Sequence, residues 1–193
     1  MSHLFTGDKL ATNKRTPAGF GEGESPRTVV RRDRYKQKIM VSIIFRSGID
    51  QITYWDKGDT VTSESYIKDC LKPLVRTLEE QRSKSGCHGL KFYQDNARPH
   101  VASMVITFLK DHEFIIMDHP PYSPDLAPSD FWLFDYIKTR LSDHTSEKSL
   151  ICEITKICNA IPKKELETTY DKWVERMGLC IKFKRDYFEH NLK

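Results

Sequence analysis

The stretch from Gly89 to Phe134, GLKFYQDNARPHVASMVITFLKDHEFIIMDHPPYSPDLAPSDFWLF, decides how the rest of the chain is interpreted. Asp95 follows a run at 90–94 in which alternate residues are apolar or aromatic, as in a half-buried strand. Asp130 follows a proline-rich loop and precedes an apolar-periodic run, which places it at or near a helix start. Thirty-four residues, 96–129, separate the two aspartates, enough for a helix at about 99–111, a short strand at 114–117 and a constrained loop. Such an arrangement can bring two carboxylates together above a sheet edge, where they would hold Mg²⁺ through hard oxygen ligands.

Two motifs in this stretch, DNARPH at 95–100 and PPYSPDLAPSD at 120–130, resemble the catalytic core of mariner/Tc1-type DNA transposases, members of the DDE/D superfamily. In that family the two motifs carry the second and third metal-binding carboxylates, and mariner members have the same spacing between them. The resemblance extends from about residue 21 to residue 187. It implies that Asp95 and Asp130 are catalytic metal ligands.

The resemblance also implies a function. It predicts metal-dependent DNA strand cleavage and strand transfer at transposon ends, with two Mg²⁺ (or Mn²⁺) ions as cofactors. The expected partners are transposon-end and target DNA, a homodimer is compatible with the family, and neither a membrane nor a small-molecule cofactor is expected. The expected location is the nucleus, in a reducing environment.

A second hypothesis is a catalytically inactive remnant that acts only as a nucleic-acid-binding or interaction module. The chain shows no helix-turn-helix region, which family members use to recognise their terminal repeats, so the sequence is expected to be truncated at its N-terminus. A ribonuclease H would need a Glu-bearing set of acidic residues, and none can be located.

The first metal-binding carboxylate of the family has one candidate in this chain. The segment HLFTGDK at 3–9 resembles the family's first catalytic segment, which would make Asp8 the remaining catalytic metal ligand. However, Lys9 stands where Glu is usual, and Phe20 stands where Trp is common. The alternative is that Asp8 is only a turn residue beside Gly7.

Two residues close to Asp95 are candidates for contact with DNA. Arg98, near the predicted helix start, is a plausible phosphate ligand. His100 can orient a metal-bound water or donate to a phosphate, or it can simply cap or pack the helix.

A basic stretch provides a further candidate DNA contact. Residues 27–38 include Arg31, Arg32 and Arg34, whose guanidinium groups can grip phosphate oxygens in bidentate fashion. The alternative is a solvated hairpin or edge strand protected by its charges.

Asp130 likewise has a structural alternative to metal binding. Ser129 is predicted to be the N-cap of the helix that begins there, but Asp130 itself can be the cap and bind no metal.

Composition is consistent with these expectations without establishing them. The 193 residues carry 30% charged side chains and a formal net charge of +4, which is mildly basic. No apolar run is long enough to span a membrane, and no signal peptide is recognised. The five cysteines form no CxxC pair, which favours reduced thiols within the core over a zinc site.

The complete pattern predicts one domain over 1–193. Two strand-like runs, at 39–45 and 51–55, are followed by a helix that we expect to be capped by Thr62 or Ser63 and kinked by Pro73. Two further helices are predicted towards the C-terminus, one that begins at Ser146 and one that follows Pro162. The apolar residues expected to face the core are Tyr66, Ile67, Cys70, Leu71, Leu74, Val75 and Leu78, then Leu150, Ile151, Ile154, Ile157 and Cys158, and then Leu166, Tyr170, Trp173, Val174 and Met177. This order predicts an α/β architecture, a mixed central sheet with helices on both faces, which resembles the ribonuclease-H-like fold.

Overall fold

The computed structural model describes residues 3–11, 39–56, 58–142 and 146–183; within the first strand it describes the side chains of residues 4–6. The predicted basic contacts Arg31, Arg32 and Arg34 lie outside these ranges. Five strands form one sheet: β1 (His3–Ala11), β2 (Ile39–Phe45), β3 (Ile49–Trp55), β4 (Lys91–Tyr93) and β5 (Ile115–Met117).

The sheet is mixed, with strand order β3-β2-β1-β4-β5. β2 is antiparallel to both β1 and β3, whereas β1, β4 and β5 run parallel. The first strand in the sequence therefore lies at the centre of the sheet. The predicted mixed sheet is confirmed.

Alternate residues of the central strands enter two separate cores. Leu4 and Phe92 pack in one cluster, while their neighbours Phe5 and Tyr93 pack in the other. Side chains in a strand alternate between its two faces, so apolar residues at successive positions require cover on both sides of the sheet. Helices supply that cover on each face, as predicted.

The first face is covered by α1 (Ser63–Ser65), a π-helical segment (Tyr66–Leu71), α2 (Lys72–Gln81) and α3 (Ser103–Asp111). Thr62 is the N-cap, as predicted, and its hydroxyl accepts from Ser65 N. The π-helical segment ends at Leu71, two residues before Pro73, and Lys72 N donates to the Ile67 carbonyl; the kink at Pro73 stays a prediction. A widened turn accommodates the hydrogen bond that proline cannot make.

The second face is covered by a π-helical segment (Ser129–Leu133), α4 (Phe134–Arg140), α5 (Glu147–Asn159) and α6 (Lys163–Lys182). Ser146 caps α5, and Pro162 occupies the N-cap position of α6. Trp173 is buried as predicted, but Val174 is wrong as a core residue, since it is 46% exposed. No helix in the described ranges has both the length and the apolar composition needed to cross a membrane.

Candidate active site

The parallel strands bring three sequence segments to one edge of the sheet. Phe5, Tyr93 and Met117 lie in register across β1, β4 and β5. Asp95 lies two residues beyond this row, after the end of β4, and His119 lies two residues beyond it, after the end of β5. Because parallel strands end at the same edge, Asp95 and His119 lie near one another, at the place where open α/β sheets bind ligands.

Asp8 lies on the same central strand, three residues past Phe5. Its backbone pairs with that of Ser42 on β2, so it belongs to the extended strand and not to a turn. The alternative that Asp8 is a turn residue is therefore wrong. Its side chain falls outside the described residues, and its role as a metal ligand stays a prediction.

Asp95 is held by two donors on a single carboxylate oxygen. Its Oδ1 accepts from Ala97 N at 3.0 Å and lies 2.6 Å from His100 Nδ1. The Asp95 side chain is 41% exposed, while that of His100 is completely buried. Both contacts fall on Oδ1, which leaves Oδ2 to accept an external ligand.

The pKa of Asp95 is lowered below its ordinary value. Burial acts to raise it, but the hydrogen bond and charge of His100, the Ala97 amide and the charge of nearby His119 together outweigh burial. Asp95 is thus a carboxylate at neutral pH, the form that a metal ion requires.

His100 does not contact DNA directly, and that prediction is wrong. Its ring has no exposed surface and stacks on Tyr66 with centroids 4.5 Å apart, while its carbonyl accepts from Gln94 Nε2 at 3.0 Å. Residues 98–101 form turns before α3 begins at Ser103, so the predicted helix start was four residues too early. The turns direct the ring inward to Asp95, where it positions the carboxylate as an outer partner of a metal ligand would.

Arg98 and Asn96 lie on the outer side of the same turn. Arg98 is exposed, and its contact with phosphate stays a prediction. The Asn96 amide donates to the His119 carbonyl at 2.8 Å. This bond joins the loop after β4 to the loop after β5.

Asp130 is the second residue of a π-helical segment that packs against β1. Its amide donates to the Ala127 carbonyl at 2.8 Å, and its side chain is partly exposed. The predicted N-cap role of Ser129 is wrong, because Pro128 occupies the N-cap position and Ser129 is buried in the first turn.

His119 is a site residue that sequence reasoning missed. Its Nδ1 lies 2.6 Å from the Tyr93 hydroxyl. Burial lowers the pKa of its imidazole, and the charges of Asp95, Asp130 and Asp125 act in the opposite direction. One ring thus lies within electrostatic range of carboxylates from both motifs. The available signal was its position directly after a strand parallel to β4.

The loop that leads to Asp130 is anchored to the core by α6. The Leu126 carbonyl accepts from Tyr93 Oη at 3.1 Å and from Trp173 Nε1 at 2.9 Å. Arg176 donates to the Asp125 carbonyl at 3.0 Å and lies over the Phe131 ring. These contacts fix the middle of the second motif, just before Asp130.

Among the side chains that the structure describes, no group of three or more His, Cys, Asp and Glu is arranged to hold a metal ion. Asp95 and Asp130 are within that set, and Asp8 is outside it. A metal centre at this edge therefore depends on Asp8 or another added ligand.

Sequence comparison finds two animal relatives, and no family model matches. The chain is 29% identical over 141 residues to the mariner Mos1 transposase of Drosophila mauritiana, covering 69% of this chain and 41% of that protein. It is 29% identical over 134 residues to the human histone-lysine N-methyltransferase SETMAR, covering 68% of this chain and 20% of that protein. The chain thus spans less than half the length of either relative.

Solved structures show the same fold. The Mos1 mariner paired-end complex with Mn superposes with a TM-score of 0.86 at 26% identity, covering 97% of this chain and 56% of that one. The Mos1 catalytic domain superposes with a TM-score of 0.78 at 23% identity, covering 97% of this chain and 84% of that one.

The fold is ribonuclease-H-like and matches that of the Mos1 paired-end complex. The chain is similar in sequence to the mariner Mos1 transposase and has the fold of the Mos1 catalytic domain. The resemblance predicted from the motifs at 95–100 and 120–130 is confirmed.

Proposed function

We propose that this chain is a transposase catalytic domain that cleaves and joins DNA strands at transposon ends. One observation supports the proposal: Asp95 follows β4 at the edge where the parallel strands end, and the segment that carries Asp130 packs against the neighbouring strand β1. Carboxylates separated by 34 residues in the sequence would then share one sheet edge. The sequence separation of Asp95 and Asp130 fits the mariner family. The loop that leads to Asp130 is held by hydrogen bonds from Tyr93, Trp173 and Arg176.

The donor chemistry fits a divalent metal. Asp95 is ionised and has Oδ2 available, and Asp130 is partly exposed at the same edge. Carboxylate oxygens are the ligands that Mg²⁺ and Mn²⁺ prefer. Two solved relatives are paired-end complexes with Mn and with Mg. Asp95, Asp130 and Asp8 would hold two ions, which lower the pKa of an attacking hydroxyl and stabilise the leaving oxygen.

The residues of the chain have separate tasks in this proposal. His100 fixes the orientation of Asp95 and keeps it ionised, while α6 holds the loop that carries Asp130 in place. Arg98 binds a phosphate of the DNA backbone, together with Arg31, Arg32 and Arg34. Prearranged groups of this kind raise the rate because they need no reorganisation during reaction.

The partner would be transposon-end and target DNA, and the site of action the nucleus. Two Mos1 structures support the DNA partner, a paired-end complex with the left transposon end and a strand transfer complex. A paired-end complex also supports a homodimer.

The test is cleavage of supercoiled plasmid by the purified chain with Mn²⁺ or Mg²⁺. We expect nicking that EDTA abolishes and that Asp95→Ala reduces by at least about a hundredfold, since a metal-binding carboxylate is lost. Asp111→Ala, at an exposed carboxylate at the end of α3, is the matched control and should cleave at the wild-type rate. Nicking that survives Asp95→Ala would reject the proposal.

A second candidate is a remnant that binds nucleic acid without cutting it. The lack of a three-residue metal group among the described side chains favours this candidate. It predicts retained DNA binding in a gel-shift assay, unchanged by Asp95→Ala, with no metal-dependent nicking under any condition.

A further inference from the structure

The Tyr93 hydroxyl lies between two groups that compete for its proton. It is 3.1 Å from the Leu126 carbonyl oxygen and 2.6 Å from His119 Nδ1. The hydroxyl has one proton to donate and lone pairs to accept with. Burial raises the pKa of Tyr93, so the proton is present at neutral pH.

Only one placement of protons makes both contacts hydrogen bonds. A carbonyl oxygen can only accept, so Tyr93 must donate to Leu126. The Tyr93 oxygen can then only accept from His119, which requires a proton on Nδ1. The opposite placement, Tyr93 donating to Nδ1, would leave the Tyr93–Leu126 contact without a hydrogen.

The surroundings hold Tyr93 in this position. Trp173 Nε1 donates to the same Leu126 carbonyl at 2.9 Å, which uses the second lone pair of that oxygen. The Tyr93 ring packs against Trp173 and Phe5, with centroids 5.2 and 6.0 Å apart. The Asn96 amide holds the His119 carbonyl at 2.8 Å. Ring and backbone of His119 are thus both fixed.

We propose that His119 is a positioning residue of the active site, held as the Nδ1–H tautomer so that Nε2 accepts a hydrogen bond from the attacking water or 3′-hydroxyl. This role rests on the proposed function and adds a residue outside the carboxylate set. A neutral imidazole with its proton on Nδ1 has no proton on Nε2, so His119 does not donate to a phosphate.

The charges around His119 agree with a neutral ring. The groups that face it are Tyr93 on β4, Asp95 after β4, Asp125 on the anchored loop and Asp130 in the π-helical segment that follows the loop. Burial outweighs the three carboxylates and leaves the pKa of His119 below its ordinary value. The ring therefore carries a lone pair at the pH at which DNA would be cleaved.

The tautomer is measured directly by ¹⁵N NMR of the imidazole nitrogens in the full chain, assigned with His119→Gln. We expect a protonated Nδ1 and an unprotonated Nε2 in the wild type. Tyr93→Phe keeps the ring packing but removes the acceptor, so a mixture of tautomers should replace the single one. A protonated Nε2 in the wild type would overturn the inference.

The role is measured by plasmid cleavage with a matched pair of variants. His119→Asn can still donate to Tyr93 but has no group at the Nε2 position, and we expect it to lose about tenfold to a hundredfold in rate. His119→Gln places an amide near the Nε2 position and should recover part of that loss. Thermal unfolding of both variants separates a fold defect from a lost contact.

The two proposals fail in different ways. If the wild type cleaves DNA and His119→Asn, folded, cleaves equally fast, the positioning role is rejected while the proposed function stands. If the wild type shows no metal-dependent cleavage, both are rejected, whichever tautomer NMR reports.

Discussion

Asp95 and His100 form a pair in which a buried ring holds a partly exposed carboxylate. The ring lies 2.6 Å from Oδ1 and has no contact with solvent. Its position is set by the turns at 98–101 and by stacking on Tyr66. The motif DNARPH therefore works as a structural unit: its histidine controls the charge of its first residue.

Replacing His100 by Phe should shift the acidic limb of the cleavage rate to higher pH. Phe keeps the stacking on Tyr66 but removes a donor that lowers the pKa of Asp95, while burial still raises it. Since the ionised form binds metal, activity is present above the pKa and is lost as pH falls through it. The measurement is a pH–rate profile; His88→Ala, at an exposed histidine, should leave the profile unchanged.

Asp130→Asn should abolish metal-dependent cleavage while leaving the fold intact. The substitution preserves shape and removes the charge that a divalent ion needs. A cleavage assay measures the metal-dependent activity of the variant, and circular dichroism of the same preparation measures whether its fold is retained. Loss of the folded state, with no change in cleavage per folded molecule, would instead assign Asp130 a structural role.

Among the elements, α6 supports the site without contributing a predicted ligand to it. Trp173 is fully buried against Phe5, Tyr93 and Tyr170, and it bonds the carbonyl of Leu126. The helix thus connects the core of one sheet face to the loop that leads to Asp130.

Trp173→Ala should cost about 3–5 kcal/mol of the free energy of unfolding, because it removes a large buried side chain and leaves a cavity. Val174→Ala, the adjacent exposed position, should change stability by less than about 0.5 kcal/mol. Denaturant unfolding measures both. Equal effects at the two positions would show that α6 does not pack as described.

Hydrophobic periodicity predicted the elements and their buried faces because a helix or strand must bury one side regardless of its partners. It therefore placed β4, α5 and α6 and the inward position of Trp173. Predictions from local sequence were wrong where tertiary contacts determine the conformation. Residues 98–101 form turns, so α3 begins at Ser103 and not at about residue 99. Ser129 is buried in the first turn of its helical segment and does not cap it. His119 was missed because the hydroxyl that its ring contacts belongs to Tyr93, 26 residues away along the chain.

On the scale of the whole molecule, the buried cysteines are distributed between the two hydrophobic cores, one on each face of the sheet. Cys70 and Cys87 belong to the core on the α2 face, and Cys158 belongs to the core on the α5 face. Cys152 is exposed and Cys180 is partly so. Burial raises the pKa of the Cys158 thiol to about 12 and that of Cys87 to about 11.

Thiol labelling should therefore report on the assembly of both cores. In the native chain a thiol reagent at pH 8 should modify Cys152 quickly and Cys180 more slowly, while the buried thiols react only after unfolding. Peptide mapping by mass spectrometry identifies the labelled sites, and Cys152→Ser should remove the fast phase. Rapid labelling of Cys70 or Cys158 would contradict the packing on the corresponding face.

The central place of β1 has a consequence for how the chain reaches its native state. Residues 3–5 pair with residues 91–93, so the middle of the sheet joins segments almost ninety positions apart. Closing so long a loop is slow, and the hairpin of β2 and β3 can form well before it. A nascent chain must thus extend past residue 93 before β1 can pair with its parallel neighbour, and the sheet edge next to Asp95 forms only at that late step.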